Sequence, residues 1–318
     1  TSSPDAVELP QVKGEVEFEN VSFAYEEDKP VLDKVNLKIK PGEFVAIVGT
    51  NGSGKSTLVN MLERFYAPDS GKIKIDGYDI AKVTLDSLRS QIGIVFQESI
   101  LFRDTIYENV RYGNLKASDA EIKEAITMSG ADEFIAKFPE GLNTNVGERG
   151  SALSGGQRQR IGIARALAVE PKFIIADEPV SALDVSIQAQ ILNILMDLKD
   201  EFHFSYLFIA HDLSVVKHIS DSLGVMYLGT IVERAPKKLL FSNPVHPYTK
   251  ALFSAAPTID EGNIAESQEL RGEIPSPIHL PTGCPFHDRC PVACPDCARE
   301  VPGFKEVESG HFAACHLL

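Results

Sequence analysis

No stretch of the 318-residue chain approaches the roughly 20 consecutive apolar residues that a bilayer-crossing helix needs. Positive charge is also scarce. Thirty-one Lys and Arg stand against 45 Asp and Glu, giving a net charge of −14 and a pI near 5.1. That balance argues against a general affinity for nucleic-acid phosphates. Cysteine is absent until Cys284, and all five fall between there and Cys315. With no other sign of secretion, metal or redox chemistry in that tail is a better reading than a disulfide framework. The start, Thr1-Ser2-Ser3, has neither a methionine nor the pattern of a secretory leader, so a processed or engineered end is expected. What remains is an ordinary soluble composition, 43% hydrophobic and 24% charged, and a length that suits one large domain with an extension.

Residues 1–14 are polar with two prolines and are expected to form a linker arm. Alternation in Val16-Glu17-Phe18-Glu19 and Val35-Asn36-Leu37-Lys38-Ile39 predicts half-buried strands, as does Lys72-Ile73-Lys74-Ile75. A mostly helical stretch is expected over about 98–165. Phe173-Ile174-Ile175-Ala176 and Tyr206-Leu207-Phe208-Ile209-Ala210 are continuous apolar runs of the kind buried in parallel sheets. Between them Ile187, Ile191, Ile194, Leu195 and Leu198 form one helical stripe, a core face over about 186–200. Strands alternating with helices predict an α/β fold with a parallel sheet covered on both sides. Beyond Glu233 prolines become frequent and periodicity fades, so the body is placed at 15–242 and a small irregular extension at 243–318.

The most informative segment is Gly49-Thr50-Asn51-Gly52-Ser53-Gly54-Lys55-Ser56-Thr57, which matches the phosphate-binding loop G-x-x-x-x-G-K-[ST]. An apolar run, Phe44 to Val48, leads into it and a helical pattern follows, so backbone N–H groups and a helix N-terminus face an anion. Lys55 is expected to reach the β- and γ-phosphates of ATP, and Ser56 to bind Mg²⁺. Asp177 closes an apolar strand where a carboxylate can hold that metal. Glu178 follows, placed to orient or deprotonate a water. A solvated acidic pair is the alternative.

Further motifs appear in order: Tyr25, Gln97, Leu153-Ser154-Gly155-Gly156-Gln157, Ser181-Ala182-Leu183-Asp184 and His211. With the phosphate loop they make the chain resemble the ATP-binding cassette (ABC) ATPases over about residues 16–240. The resemblance implies a P-loop NTPase (RecA-like) core with an N-terminal antiparallel β subdomain and an α-helical signature subdomain. It implies that Tyr25 stacks on adenine, its alternative being a strand tyrosine packed on a neighbour. Gln97 would touch Mg²⁺ and sense a transmembrane partner, Asp184 would lie in a dimer-contact loop, and His211 would contact the γ-phosphate. Ser154 and the glycines after it open a helix, so they can offer a hydroxyl, N–H groups and a positive helix end to a phosphate. By resemblance that phosphate belongs to ATP on a second subunit, identical or related, and two cassettes sandwich ATP head to tail.

Two subtypes of the family are echoed. Phe102 to Val110, Val146-Gly147-Glu148-Arg149-Gly150 and Asp5 to Pro10 look like exporter cassettes. Ala176 to Ser186, His246-Pro247-Tyr248-Thr249-Lys250-Ala251-Leu252 and Pro275-Ser276-Pro277-Ile278 look like di- and oligopeptide importers. A hybrid joined between Gly150 and Phe173 is therefore expected, an engineered chimera rather than a natural mosaic. Cys284, Cys290, Cys297 and Cys315 follow C-x5-C-x6-C-x17-C, with Cys294 outside the pattern. Thiolates suit iron–sulfur or zinc. The spacing resembles the tail of peptide-importer ATPases, which implies a [4Fe–4S] cluster, zinc being the alternative.

The expected function is ATP hydrolysis by a peripheral subunit on the cytoplasmic face of the cell membrane, powering transport of a solute, a di- or oligopeptide, through transmembrane permease subunits, with no nucleic-acid partner. A non-transport ABC ATPase, or an ATP-binding hybrid with little turnover, are the alternatives.

Overall fold

The computed structural model describes residues 4–27, 29–255 and 281–318. The sequence signals at Thr1-Ser2-Ser3 and Pro275 to Ile278 lie outside them. Two compact units emerge, each assembled from separate stretches of chain. One comprises Thr1–Val16, Ile39–Phe44 and Lys74–Phe208, and the other Glu17–Lys38, Val45–Ile73 and Ile209–Leu318.

The first unit is built on the parallel pair Ile92–Val95 and Phe173–Asp177, in register from Ile92 opposite Phe173 to Val95 opposite Ala176. Phe173 to Ala176 are all buried, as a strand covered on both faces requires. The helix Gly155–Leu167 packs on Ile92–Val95 and on the helices Ile106–Arg111 and Asp119–Met128. These helices begin at side-chain caps: Thr105 accepts from the Glu108 N–H, and Ser118 and Glu121 form a reciprocal capping box. The apolar stripe seen in the sequence becomes the helix Val185–Phe202, which buries Ile191, Leu192, Leu195 and Leu198, whereas Ile187 and Ile194, expected on the same core face, are only partly covered. It stops at His203, which adopts a left-handed conformation (φ 56°).

The second unit holds an antiparallel sheet in which Val16–Glu26 lies between Lys29–Ile39 and Ser70–Ile75. Inward residues Phe18, Val21, Leu32, Val35 and Leu37 are buried, matching the alternation. Beside it the strand leading into the phosphate loop pairs in parallel with Ser222–Tyr227, Val45 opposite Ser222. Ser222–Tyr227 turns back antiparallel into Thr230–Pro236. The extension, expected to be irregular, contributes two strands: His311–Ala314 pairs with Thr230–Pro236, and Phe304–Glu308 pairs with His311–Ala314. It also forms the helix Pro247–Ser254, started by proline at its first turn. Among the described residues no helix is long and apolar enough to cross a membrane.

Candidate nucleotide site

The phosphate loop leaves its buried strand at Gly49. A Cβ there would lie 2.2 Å from the Met226 carbonyl oxygen, so only glycine permits the close passage. Gly54 caps the helix Lys55–Leu62 in a left-handed conformation, φ 100°, which a side chain would strain. Ser53 is buried, its carbonyl accepting the Gly229 N–H at 2.9 Å, whereas Asn51, Gly52 and Ser56 are exposed. Lys55 is buried along its stem, and its Nζ donates to the carbonyls of Gly49 (2.9 Å) and Thr50 (3.1 Å). The ammonium thus rests on backbone oxygens inside the loop, where phosphate oxygens can take their place. Thr57 is buried and pairs with the Tyr25 hydroxyl at 3.3 Å. The Tyr25 ring is half exposed and held edge-on by Phe23 (4.8 Å) and Tyr66 (5.0 Å). Sequence reasoning missed Tyr66, because nothing in its local pattern shows that it braces the tyrosine beside the loop. His211 belongs to the same unit and stands exposed just past the strand Ser205–Ala210.

The other unit carries the carboxylates and the signature. Asp177 ends its strand, and Glu178 adopts a left-handed backbone with φ 47°. For a residue with a Cβ that conformation costs about 1–2 kcal/mol, and it turns the chain sharply where Glu178 projects. The Glu178 carbonyl fixes the turn by accepting the Ser181 N–H (3.2 Å) and hydroxyl (3.0 Å). Asp184 begins the helix Val185–Phe202 without capping it, and it is exposed together with Val185 and Ser186.

Ser154 is the N-cap of the helix Gly155–Leu167. Its Oγ accepts the Gln157 N–H (3.3 Å), and the Gln157 side chain accepts the Ser154 N–H (2.9 Å). A hydroxyl that accepts in this way keeps its own proton for an outside acceptor, and Ser154 is exposed. The two glycines have a steric reason beyond flexibility. Cβ atoms there would lie 3.2 Å from Leu183 (at Gly155) and 2.7 Å from Ile187 (at Gly156).

Gln97 is exposed on the loop after Ile92–Val95 and lines, with Asp177, Phe96, Ile100 and Phe102, a groove of about 560 Å³. Gln159, which sequence reasoning passed over, is 2% exposed and grips that loop from the signature helix. Its amide donates to the Phe96 carbonyl (3.0 Å), and its oxygen accepts the Ser99 hydroxyl (2.9 Å).

The tail cysteines are all free thiols. Cys284, mostly buried, is pushed up to about 11 by desolvation, and the fields of Cys297, Cys290 and Cys315 add to the effect. Cys294, read as standing apart, instead meets Cys297 with the sulfurs 3.2 Å apart. Among the described residues no three His, Cys, Asp or Glu side chains form a group that could hold a metal ion. The thiols as arranged therefore lend no support to the expected [4Fe–4S] cluster, or to zinc.

The family model described as ABC transporter matches residues 32–181, and that of the oligopeptide/dipeptide transporter C-terminal region matches 232–297. The oligopeptide transport ATP-binding protein AppF of Bacillus subtilis is 44% identical over 307 residues, covering 91% of this chain and 90% of its own. This chain belongs to the ABC transporter ATP-binding family. A relative from Sinorhizobium fredii, named as a probable peptide ABC transporter ATP-binding protein, is 43% identical over 90% of this chain and 82% of its own. Among solved structures, a bacterial Atm1-family ABC exporter with ATP bound is similar at a TM-score of 0.73 and 39% identity, over 82% of this chain. The ABC chain described here spans only 45% of that exporter. ATP hydrolysis is the activity of the family. The hybrid expected from the two subtype signals gains no support: a peptide-transport relative, AppF, is similar over 91% of this chain, on both sides of the proposed join.

Proposed function

We propose that this chain is the ATP-hydrolysing subunit of a peptide transporter, peripheral on the cytoplasmic face of a membrane. It engages transmembrane permease subunits and pairs with a second ATP-binding subunit, identical or related. The observation that carries this reading is an intact phosphate loop in the same chain as an oligopeptide-type C-terminal region.

The residues divide the work in a way their settings support. The amides that open the helix at Lys55 and Ser56 face the triphosphate, and Lys55 exchanges its backbone oxygens for phosphate oxygens. Tyr25 offers a braced ring face to adenine. Ser56, Gln97 and Asp177 would hold Mg²⁺, which supplies charge neutralisation at the phosphates. Glu178 orients a water and takes its proton, and His211 contacts the γ-phosphate. Ser154, Gly155, Gly156 and Gln157 present the free hydroxyl proton and the positive helix end to ATP held by the paired subunit, with Asp184 at the contact. The groove beside Gln97, with Phe96, Ile100 and Phe102 each more than half exposed, is the apolar surface for a permease.

The test is ATPase rate against protein concentration with Mg²⁺ present. Activity per subunit should rise with concentration and level off as pairs form. A rate near zero at every concentration would favour the alternative, a chain that binds ATP with little turnover.

The tail thiols carry a finer part of the proposal, a [4Fe–4S] cluster on Cys284, Cys290, Cys297 and Cys315, with zinc as the alternative. Its support is the sequence spacing C-x5-C-x6-C-x17-C alone, since the thiols as arranged form no metal-binding group among the described residues. A cluster there would staple a proline-rich segment to the body. Protein prepared without oxygen should be brown with stoichiometric iron. A colourless, iron-free preparation containing zinc selects the alternative, and one without either metal removes both.

A further inference from the structure

Tyr248, in the tail helix Pro247–Ser254, is completely buried. Its ring lies 4.6 Å from Tyr227 and 5.5 Å from Phe286, and those two meet edge to face at 5.3 Å. Phe286 follows Cys284 by two residues, so this aromatic trio joins the cysteine segment to the strand Ser222–Tyr227. His246 fixes the start of the Tyr248 helix. Burial pushes it down to about 4, so the ring is neutral and its Nδ1 accepts the Tyr248 N–H at 3.1 Å.

Among the described residues the phenol reaches out of this apolar packing to one place. Its oxygen accepts the backbone N–H of Thr50, second residue of the phosphate loop, at 3.1 Å. The same residue's carbonyl accepts from the Lys55 ammonium at 3.1 Å and from the Ser53 N–H at 3.2 Å. Thr50 is therefore held at both ends, by the tail through its N–H and by the loop through its oxygen. We propose that Tyr248 is a positioning residue for ATP binding: its hydroxyl sets the first turn of the phosphate loop, and the C-terminal extension thereby tunes nucleotide affinity. The proposal rests on the reading of that loop as the ATP site.

The test is Tyr248→Phe in the full chain, which removes one oxygen and keeps the ring packing. Losing a hydrogen bond of ordinary strength weakens ATP binding about fivefold. KM for ATP should rise by that factor, while kcat at saturating ATP stays near the parent's. A merely structural role would instead lower the thermal midpoint and leave KM alone, and that result overturns the proposal. Amide hydrogen exchange on the unmodified protein gives a second readout. The Thr50 N–H should be protected without nucleotide, and free exchange there also overturns it. If the parent binds no ATP, the underlying reading fails first and this proposal falls with it. If the parent binds ATP and Tyr248→Phe matches it in KM, the positioning role alone fails.

Discussion

Glu178→Gln should lose ATP turnover by at least about 100-fold, the lower end of what a positioned general base contributes. The exchange keeps the size and shape of the side chain and removes its capacity to take a proton. The turn that aims it survives, because Ser181 bonds to the Glu178 carbonyl rather than to its side chain. ATP should therefore bind as before and, unhydrolysed, should hold two subunits together. Phosphate release reports the first effect, and light scattering with and without ATP the second. Turnover within a factor of about ten of the parent would remove Glu178 from the chemistry, since a base worth so little is not the group that activates the water.

Glu233→Ala should cost about 3–5 kcal/mol of stability, the range for breaking a buried polar pair from one side. Glu233 is fully buried in the strand Thr230–Pro236. Its carboxylate accepts the Val245 N–H (2.8 Å), the His246 N–H (2.9 Å) and the His311 Nε2–H (2.7 Å), and His311 is equally buried. Alanine would leave two backbone amides and an imidazole without their acceptor inside the protein. Those donors come from both ends of the extension, so the loss should loosen the tail as a whole. Urea unfolding measures it, and Glu233→Gln, which retains one acceptor oxygen, should recover part of the difference. A loss below about 1 kcal/mol for alanine would mean that water reaches the orphaned donors.

Much of this was legible in the chain. The loop Gly49–Thr57, the buried run at 173–176 and the stripe from Ile187 to Leu198 each carry a local signal of period or motif, and each forms the element expected. The hairpin Ser222–Tyr227 and Thr230–Pro236 did not announce itself. Its first strand is buried at every residue and so shows no alternation. Its turn uses Leu228 at φ 41° before Gly229, without the Asn-Gly or Asp-Gly pair that marks such turns. The tail strands are short, and Phe304–Glu308 is mostly exposed, so a Pro- and Cys-rich texture concealed them. At the site, motif residues were found because spacing encodes them. Tyr248, Glu233 and Gln159 were not, because their partners lie 198, 78 and 63 residues away and nothing local marks the meeting.

The clasp made by Gln159 has a mechanical corollary. A primary amide enclosed with both of its ends committed has no slack: the strap at Phe96 and Ser99 can shift only by tearing two bonds or by dragging the rod behind Ser154 along. A push delivered in the trough beside Gln97 would therefore be felt first at these two bonds and, through them, by the rod that begins at Ser154.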